Sequence, residues 1–292
     1  MQGKICLITG ANRGIGRATA EALARQGATV LLHCRHRADG EAAKSEIAAA
    51  TGNHNIVVLV ADLSVQAEVK RLAEEVQAGY PRLDVLINNA GSFFLNRTLT
   101  PDNIESTFAI NHLASFVLTN ALLDLLKASA PSRIVFVSSQ AHQRVTDPED
   151  WENNKSYNGL TAYNRSKLAN VMYCYDLAHR LEGTGVTANC CHPGLVDSQL
   201  LESGHKRWWL HWAWPMVRRF TITPAEGAIT PTFLATSAEA EGVTGRYYNK
   251  ARPATSSLIS HDAVLGARLW NLSLRLTGEL PPVSITGEHI AH

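Results

Sequence analysis

Short apolar runs alternate with longer segments of helical periodicity along most of this chain. The apolar runs occupy residues 4–9, 29–34, 55–61, 84–88, 133–138 and 185–192. Helical periodicity is visible over residues 17–26, 39–51, 65–78, 101–126 and 160–181. Strands separated by helices of this length form βαβ units, which build a parallel sheet with helices on both faces. The alternation therefore predicts an α/β fold with right-handed crossovers.

A further short strand is predicted at residues 245–248, and a terminal helix is predicted over about 262–277, with Asp262 as its candidate N-cap. A length of 292 residues suits one large α/β domain or two small ones. We predict a single Rossmann-type doubly wound domain over residues 1–280, with a parallel seven-stranded sheet. Residues 281–292 are predicted to be a loose tail.

The composition is that of an ordinary soluble globular protein, with 45% hydrophobic and 18% charged residues. A formal net charge of +1 gives no broad electrostatic indication of nucleic-acid binding. The five cysteines show no C-x-x-C spacing, which favours reduced thiols and argues against a disulfide framework or a metal site. No targeting segment precedes the first strand and no uninterrupted 18-residue apolar run occurs, so a cytoplasmic protein is expected.

The segment between the first strand and the first helix is rich in glycine. Its candidate cofactor-binding residues are Gly10, Asn12, Arg13, Gly14, Ile15 and Gly16. Glycines let the backbone approach a pyrophosphate, and the helix N-terminus offers it free N–H groups and a positive dipole end. Because a strand and a helix flank the turn, it predicts a dinucleotide site rather than a plain tight turn.

The second strand ends in cations instead of the carboxylate that would accept the 2′-hydroxyl of NAD. Arg35 and Arg37 follow it, and Arg13 lies in the glycine turn. Guanidinium groups bind phosphate with two parallel hydrogen bonds, which suits the 2′-phosphate of NADP. We therefore predict NADP rather than NAD; the alternative is a solvated basic loop.

Tyr163 and Lys167 are four residues apart in a predicted helix, so they share one face. An ammonium beside a phenol favours the phenolate and lowers the pKa of the phenol from its usual value near 10. The pair is thus a candidate general acid/base. Alone the spacing is weak evidence, since two surface residues of an amphipathic helix would give the same pattern.

Several short motifs, taken together, resemble the short-chain dehydrogenase/reductase family over roughly residues 4 to 250. The motifs are Thr9–Gly16, Asp62-Leu63, Asn88–Gly91, Asn111, Ser138-Ser139, Tyr163-x-x-Ser166-Lys167 and Pro193-Gly194, in family order. Within the family the chain looks most like the retinol dehydrogenase and protochlorophyllide reductase branch. The segments that indicate this branch are Cys34-Arg35, Ser138–His142, Ser166–Asn170, His192–Gly194 and Ala267–Ser273.

The resemblance implies a hydride transfer between nicotinamide and a carbonyl or alcohol carbon. Tyr163 would exchange the proton on the substrate oxygen, and Lys167 would hold the nicotinamide ribose and lower the pKa of Tyr163. Ser139 would hydrogen-bond the substrate oxygen. Asn111 would bind a water that links Lys167 to solvent. Ser139 could instead be a simple strand-end hydroxyl, and Asn111 could serve a local hydrogen bond.

Further cofactor contacts are implied at the ends of later strands. They are Asp62, Leu63, Asn89, Ala90, Gly91, Pro193, Gly194, Val196 and Ser198, together with Tyr163 and Lys167. Asp62 and Asn89 could equally be loop-capping groups. Residues 142–158, between Ser139 and Tyr163, are polar and turn-rich and resemble an insert of the retinol dehydrogenase branch.

Residues from about 195 to 223 lose the regular alternation and correspond to the substrate loop of relatives. The stretch Trp208–Trp214 holds four of the six tryptophans. It is interpreted as a lid and pocket wall, as a peripheral membrane contact, or as plain core. The first two interpretations predict a small apolar substrate.

The leading hypothesis is an NADP(H)-dependent oxidoreductase acting on an apolar retinoid-, steroid-, quinone- or aldehyde-like substrate, without a metal. The alternatives are a reductase of carbon–carbon double bonds that uses the same Tyr–Lys pair, and a catalytically silent NADP-binding sensor or scaffold. A homo-oligomer is compatible with the family's habits, by analogy alone.

Overall fold

The computed structural model describes residues 1–194 and 222–279 and contains one eight-stranded sheet of order β3-β2-β1-β4-β5-β6-β7-β8. Its strands are β1 Ile5–Ile8, β2 Thr29–Cys34, β3 Ile56–Val60, β4 Val85–Asn88, β5 Ser132–Val137, β6 Val186–His192, β7 Tyr247–Asn249 and β8 Arg252–Ala254. The first seven are parallel, which confirms the doubly wound α/β prediction. Because parallel strands end at the same edge, the motifs that follow them are brought together.

Seven principal helices accompany the sheet in the described ranges. They are α1 Gly14–Arg25, α2 Arg37–Thr51, α3 Gln66–Gly79, α4 Ser106–Ala128, α5 Gly159–Arg180, α6 Pro224–Thr236 and α7 Ala263–Leu276. Helix α4 begins at Ser106, five residues later than its periodicity predicts, because the buried carboxylate of Glu105 accepts the N–H groups of Thr107 and Phe108. The N-cap prediction for α7 is confirmed, since Asp262 accepts the N–H of Leu265.

The eighth strand corrects the predicted count of seven. Strand β8 runs antiparallel to β7 after a two-residue turn in which Lys250 and Ala251 have φ angles of 50° and 57°. Two residues with positive φ at these positions define a type I′ hairpin turn. Strand β8 contains Pro253 and all its residues are exposed. Its sequence therefore has no alternation of apolar and polar residues from which a strand could be predicted.

The hydrophobic core lies on both faces of the sheet. Leu7 of β1 packs with residues of α3, α4 and α5, whereas its neighbours Cys6 and Ile8 pack with residues of α1, α2 and α6. This division follows from the strand geometry, in which successive side chains point to opposite faces. All five cysteines are buried with free thiols. Burial raises the pKa of Cys190 to about 12, which makes it an inert core residue.

Helix α4 has the length and composition of a membrane-spanning segment, with a mean hydropathy of 1.4 over its best 18-residue window. In the structure 67% of that window is buried, which is typical of a core helix. Ala109–Leu113 within α4 form a π-type turn. Such turns are rare and concentrate at functional sites.

The insert before α5 is folded onto that helix. Arg165, which is 7% exposed, donates to the carbonyl oxygen of Asp147 and to Oδ1 of Asn153, each at 2.8 Å. Trp151 is buried and stacks on Phe108 with ring centroids 6.4 Å apart. The insert is therefore part of the packed structure beside the Tyr163 helix.

Candidate active site

The glycine turn between β1 and α1 has the backbone geometry of an anion-binding site. Gly10 has a φ of +63°, a region that favours glycine. A Cβ at Gly16 would lie 2.3 Å from the carbonyl oxygen of Gly10, so the helix can approach the turn only with glycine there. Arg13, the N-cap of α1, makes no side-chain capping bond, and the first turn contains no acidic residue. The N–H groups at the start of α1 therefore suit an anionic ligand.

Asn89 holds the glycine turn from the neighbouring strand β4. Its Nδ2 donates to the carbonyl oxygens of Thr9 at 2.8 Å and Gly10 at 3.2 Å. In return, the hydroxyl of Thr9 accepts the backbone N–H groups of Asn89 and Ala90. The side chain of Asn89 therefore caps a loop, which is one of its two predicted roles. It joins the glycine turn to the segment after β4, and both segments are predicted to contact the cofactor.

His33 of β2 supports the same turn from the other side and was missed by the sequence analysis. Its Nδ1 accepts the backbone N–H of Gly10 at 3.2 Å, and its Nε2 faces the carbonyl oxygen of Ala61 at 3.1 Å. A carbonyl cannot donate, so the neutral ring carries its hydrogen on Nε2. Burial lowers the pKa of His33 to about 4, which keeps the ring in this acceptor state.

The cations predicted to recognise a 2′-phosphate lie at the end of β2. Arg35 is exposed and its Nε bonds Nε2 of His36 at 3.1 Å. Arg37 is also exposed and lies 3.6 Å from the carboxylate of Glu41. Both guanidinium groups are on the surface at the carboxyl end of the strand, on the same edge of the sheet as the glycine turn.

Asp62 follows β3 and organises its own loop. Its Oδ1 accepts the N–H of Ser64 at 2.9 Å, while its backbone N–H donates to Glu68 at 2.6 Å. These bonds correspond to the loop-capping alternative. Asp62 and Leu63 are nevertheless partly exposed at the same sheet edge, next to Ala61, which contacts His33.

Tyr163 lies in the second turn of α5, at the edge where the strands end, and is partly buried. Burial raises the pKa of its phenol, and the nearby side chain of Ser139 acts in the opposite direction. Ser139 lies two residues beyond the end of β5 and is the N-cap of a short helical turn, Gln140–Arg144. The structure therefore brings Ser139 and Tyr163 close together at one edge of the sheet although they are 24 residues apart in sequence.

Lys167 lies one turn beyond Tyr163, and its Nζ is 5.7 Å from the centroid of the Tyr163 ring. The amine donates to the carbonyl oxygen of Val137 at 3.1 Å and is buried. Burial lowers the pKa of Lys167 to about 8. A Cβ at Gly91 would be 3.2 Å from the amine, so the Asn88–Gly91 segment passes directly over it.

Asn111 occupies the π-type turn of α4 and links two walls of the site. Its Oδ1 accepts the N–H of Ser92 at 2.6 Å, and its Nδ2 donates to the Ser92 carbonyl oxygen at 3.0 Å. The same Nδ2 bonds the hydroxyl of Ser166 at 2.9 Å. Ser166 lies between Tyr163 and Lys167 in sequence, so Asn111 holds the strand-β4 loop against the face of α5.

Ser138, the first serine of its pair, has a structural place. It is buried, and its hydroxyl donates to the carbonyl oxygen of Lys167 at 2.8 Å. This bond fixes the end of β5 to α5. The choice of Ser139 as the candidate catalytic serine therefore agrees with the exposure of the two side chains.

The turn after β6 contributes Pro193 and Gly194, which has a φ of +101°. His192 before them accepts N–H groups from Gln140 at 3.2 Å and Gly194 at 3.4 Å, and so ties this turn to the Ser139 segment. Val196, Ser198 and the Trp208–Trp214 stretch lie outside the described residues, as does the predicted tail 281–292.

The wall beside the phenol of Tyr163 includes an aromatic side chain from the segment after β4. Phe93 packs edge-on against it, with ring centroids 5.9 Å apart. Tyr157 donates its hydroxyl hydrogen to the carbonyl oxygen of Phe94 at 2.8 Å, which ties the insert to the segment after β4. The wall next to the candidate catalytic groups is therefore partly aromatic.

A glycine turn, neighbouring serine and tyrosine hydroxyls and a buried lysine, all at the edge where parallel strands end, define a class of nucleotide-dependent oxidoreductase. The family model described as short chain dehydrogenase matches residues 4–207, and the chain belongs to that family. Retinol dehydrogenase 14 of Mus musculus is 43% identical over 300 residues, covering 96% of this chain and 87% of that protein. The chain lies within the retinol dehydrogenase-like branch and is an oxidoreductase.

Solved structures give the same result for the fold. An uncharacterised protein from Mycobacterium paratuberculosis is similar with a TM-score of 0.76 and 32% identity, over 95% of this chain and 94% of that one. A short chain dehydrogenase from Shigella flexneri, solved in complex with NADP, has a TM-score of 0.68 and 28% identity, over 86% of this chain and 98% of that one.

Proposed function

We propose that this chain is an NADP(H)-dependent oxidoreductase that transfers hydride between nicotinamide and a carbonyl or alcohol of an apolar substrate, with Tyr163 as general acid/base. The observation that carries the proposal is the Tyr163–Lys167 pair, in which the buried amine of Lys167 lies 5.7 Å from the centroid of the Tyr163 ring, with the Ser139 side chain nearby. Two neighbouring hydroxyls at a sheet edge can hold one substrate oxygen between them.

The residues present fit a dinucleotide. A Cβ at Gly14 would meet nothing within 4 Å, so the turn is open on its outer side, whereas the inner approach at Gly16 is closed. Backbone N–H groups of α1 would hold the pyrophosphate, and the segment from Asn89 to Gly91 would lie along the nicotinamide half. The nicotinamide supplies the hydride chemistry when it is bound.

The side chains around Tyr163 have distinct tasks in this proposal. Tyr163 gives a proton to the substrate oxygen in reduction and takes it in oxidation. Ser139 donates to the same oxygen and stabilises the charge that develops on it. Lys167 holds the cofactor ribose, and its positive charge favours the phenolate form of Tyr163, opposing the effect of burial on the pKa of the phenol.

Arg35 and Arg37 support the preference for NADP. No carboxylate stands at positions 35–37, and both guanidinium groups are exposed where the second strand ends. The similar Shigella flexneri dehydrogenase is described as complexed with NADP. A bidentate guanidinium–phosphate contact would account for the preference.

The aromatic contact between Phe93 and Tyr163 and the likeness to retinol dehydrogenases support an apolar substrate of retinoid-like character. A peripheral membrane association is compatible with such a substrate. A reductase of carbon–carbon double bonds would use the same Tyr–Lys pair and is the alternative function.

A substrate panel assayed with NADPH and NADH tests the proposal. The panel should contain a retinoid, a steroid, a quinone and small aldehydes, and an α,β-unsaturated ketone whose two reduction products can be separated. Tyr163→Phe is expected to lose at least about a thousandfold in kcat while still binding NADPH. Tyr157→Phe is the matched control, because it removes a phenol hydroxyl from the neighbouring insert. Near-normal turnover by Tyr163→Phe would reject the assigned role.

A further inference from the structure

Helix α5 also forms a hydrogen bond with the backbone of Asn111. The side-chain Nδ2 of Asn170 donates to the carbonyl oxygen of Asn111 at 2.9 Å. Asn170 is 2% exposed and Asn111 is fully buried. A side chain that bonds a carbonyl within a π-type turn fixes a stretch of helix whose regular hydrogen bonding is already interrupted.

The hydrogen bonds behind Asn170 have a defined direction. Because its Nδ2 faces Asn111, its Oδ1 faces Nδ1 of His112, at 3.4 Å. An amide oxygen cannot donate, so Nδ1 of His112 carries the ring hydrogen and Nε2 is the acceptor. Burial lowers the pKa of His112 to about 4, so the ring is neutral near pH 7.

Ser273 of α7 completes this sequence of bonds. Its hydroxyl lies 3.0 Å from Nε2 of His112, which needs a donor, and 2.9 Å from the carbonyl oxygen of Leu269, which competes for the same hydrogen. His112 and Asn170 both donate in the direction of the carbonyl oxygen of Asn111, whereas the Ser273 hydroxyl lies between Nε2 of His112 and the carbonyl oxygen of Leu269. Buried networks of this kind rigidify the groups they connect when each member is satisfied.

We propose that Asn170 and His112 are positioning residues, which hold Asn111 so that the Ser92 segment and the Tyr163–Lys167 face of α5 keep their spacing, and that α7 supports them through Ser273. The inference deepens the proposed function and rests on it. Asn111 is the shared element, because its side chain bonds both Ser92 and Ser166. A change in its orientation would move both walls of the site.

The test uses variants of the full chain that each change one member of the network. Asn170→Leu removes the donor to Asn111 and the bond to His112, and His112→Phe removes the bonds to Asn170 and Ser273 while keeping an aromatic ring. His112→Gln keeps a side-chain N–H that can reach Asn170. Tyr173→Phe is the matched control, because it removes a buried hydroxyl bonded to Asn120 between the same two helices, without contact to Asn111.

We expect Asn170→Leu and His112→Phe to lose about tenfold or more in kcat, with the KM for NADPH changed less than about twofold. His112→Gln should recover most of the loss, and Ser273→Ala should lose about twofold to threefold, since it removes only the outermost bond. Tyr173→Phe should retain its kcat. Equal kcat values for the control and the network variants, or no recovery with glutamine, would overturn the inference.

A second measurement does not depend on turnover. The N–H of Ser92 donates to Asn111, so hydrogen exchange of the peptide covering residues 90–94 should be faster in Asn170→Leu and His112→Phe than in Tyr173→Phe. Exchange equal to that of the control would contradict the positioning role. If the unmodified chain turned over no substrate with either nicotinamide, the proposed function would fail, and the exchange data would still decide whether the network positions Asn111.

Discussion

The imidazole Nδ1 of His33 accepts the backbone N–H of Gly10 at 3.2 Å, so a side chain of β2 fixes the first glycine of the candidate cofactor turn. The same ring reaches Ala61 after β3. His33 therefore connects the pyrophosphate side of the proposed site with the loop that would face the adenosine, although it needs no direct contact with the cofactor.

Replacing His33 should weaken cofactor binding more than it slows turnover. His33→Leu leaves the Gly10 N–H without its acceptor, and we expect the KM for NADPH to rise about tenfold while kcat changes less than about twofold. His179→Leu is the control, because His179 is exposed and its ring bonds the carboxylate of Glu182, away from the glycine turn. Steady-state kinetics with NADPH varied at saturating substrate would show the difference. A fall in kcat at unchanged KM would contradict the role assigned to His33.

Arg35→Ala should discriminate between the two nicotinamide cofactors. We expect NADPH binding to weaken at least about tenfold and NADH binding to change less than about twofold, because only NADPH carries the 2′-phosphate. Dissociation constants from cofactor fluorescence would measure both. Arg25→Ala, which removes an exposed guanidinium paired with Glu21, controls for the loss of one positive charge. Equal weakening of both cofactors would remove the basis of the NADP preference.

Gly16→Ala should damage the glycine turn by sterics alone. The added methyl group would lie 2.3 Å from the Gly10 carbonyl oxygen and 2.4 Å from Nδ2 of Asn89, so α1 must move away from the turn. We expect a loss of about 2 kcal/mol or more in the free energy of unfolding, together with loss of NADPH binding. Gly266→Ala in α7 is the matched control, since its methyl group would meet nothing within 4 Å. Denaturant titration of both variants, with and without NADPH, provides the comparison.

Acid should destabilise the protein through histidines that are buried in the neutral form. Burial lowers the pKa of His33, His112 and His192 from 6.5 to about 4 in each case. Between these values the unfolded chain binds more protons than the folded one, so stability is present above pH 6.5 and is lost as the pH falls toward 4. Each histidine can contribute up to about 3 kcal/mol.

Unfolding free energies measured from pH 7.5 to 4.5 would test this prediction. His33→Gln should show a smaller acid-dependent loss than the unmodified chain, because it removes one of the three groups. A stability that does not change across this range, or an equal slope for the variant, would show that the histidines do not control the acid response.

The sequence predicted the elements whose signals are local. Each long apolar run became a strand, because a strand buried on both faces needs apolar side chains throughout. The Tyr163–Lys167 face followed from helical spacing, and the glycine turn followed from the strand and helix that flank it. Strand β8 had no such signal, since Arg252–Ala254 is three residues long and exposed.

The parts that sequence reasoning missed depend on partners that are distant along the chain. In the sequence, His33 is a single polar residue within an apolar run. Its hydrogen-bond partners Gly10 and Ala61 are 23 and 28 residues away along the chain. Arg165 resembles a surface residue beside the catalytic candidates, yet it is buried by an insert that looked like a polar loop. A single sequence contains no record of which polar groups meet across the fold, so these contacts required the structure.

The β7–β8 hairpin has a consequence for how copies of this chain can meet. In a two-residue hairpin, Asn249 and Arg252 next to the turn form the hydrogen-bonded pair, so Pro253, opposite Tyr248, directs its backbone nitrogen away from β7. That nitrogen carries no hydrogen. A strand that approached the outer side of β8 would meet no backbone N–H donor at Pro253. The outer side of β8 is thereby protected against edge-to-edge aggregation.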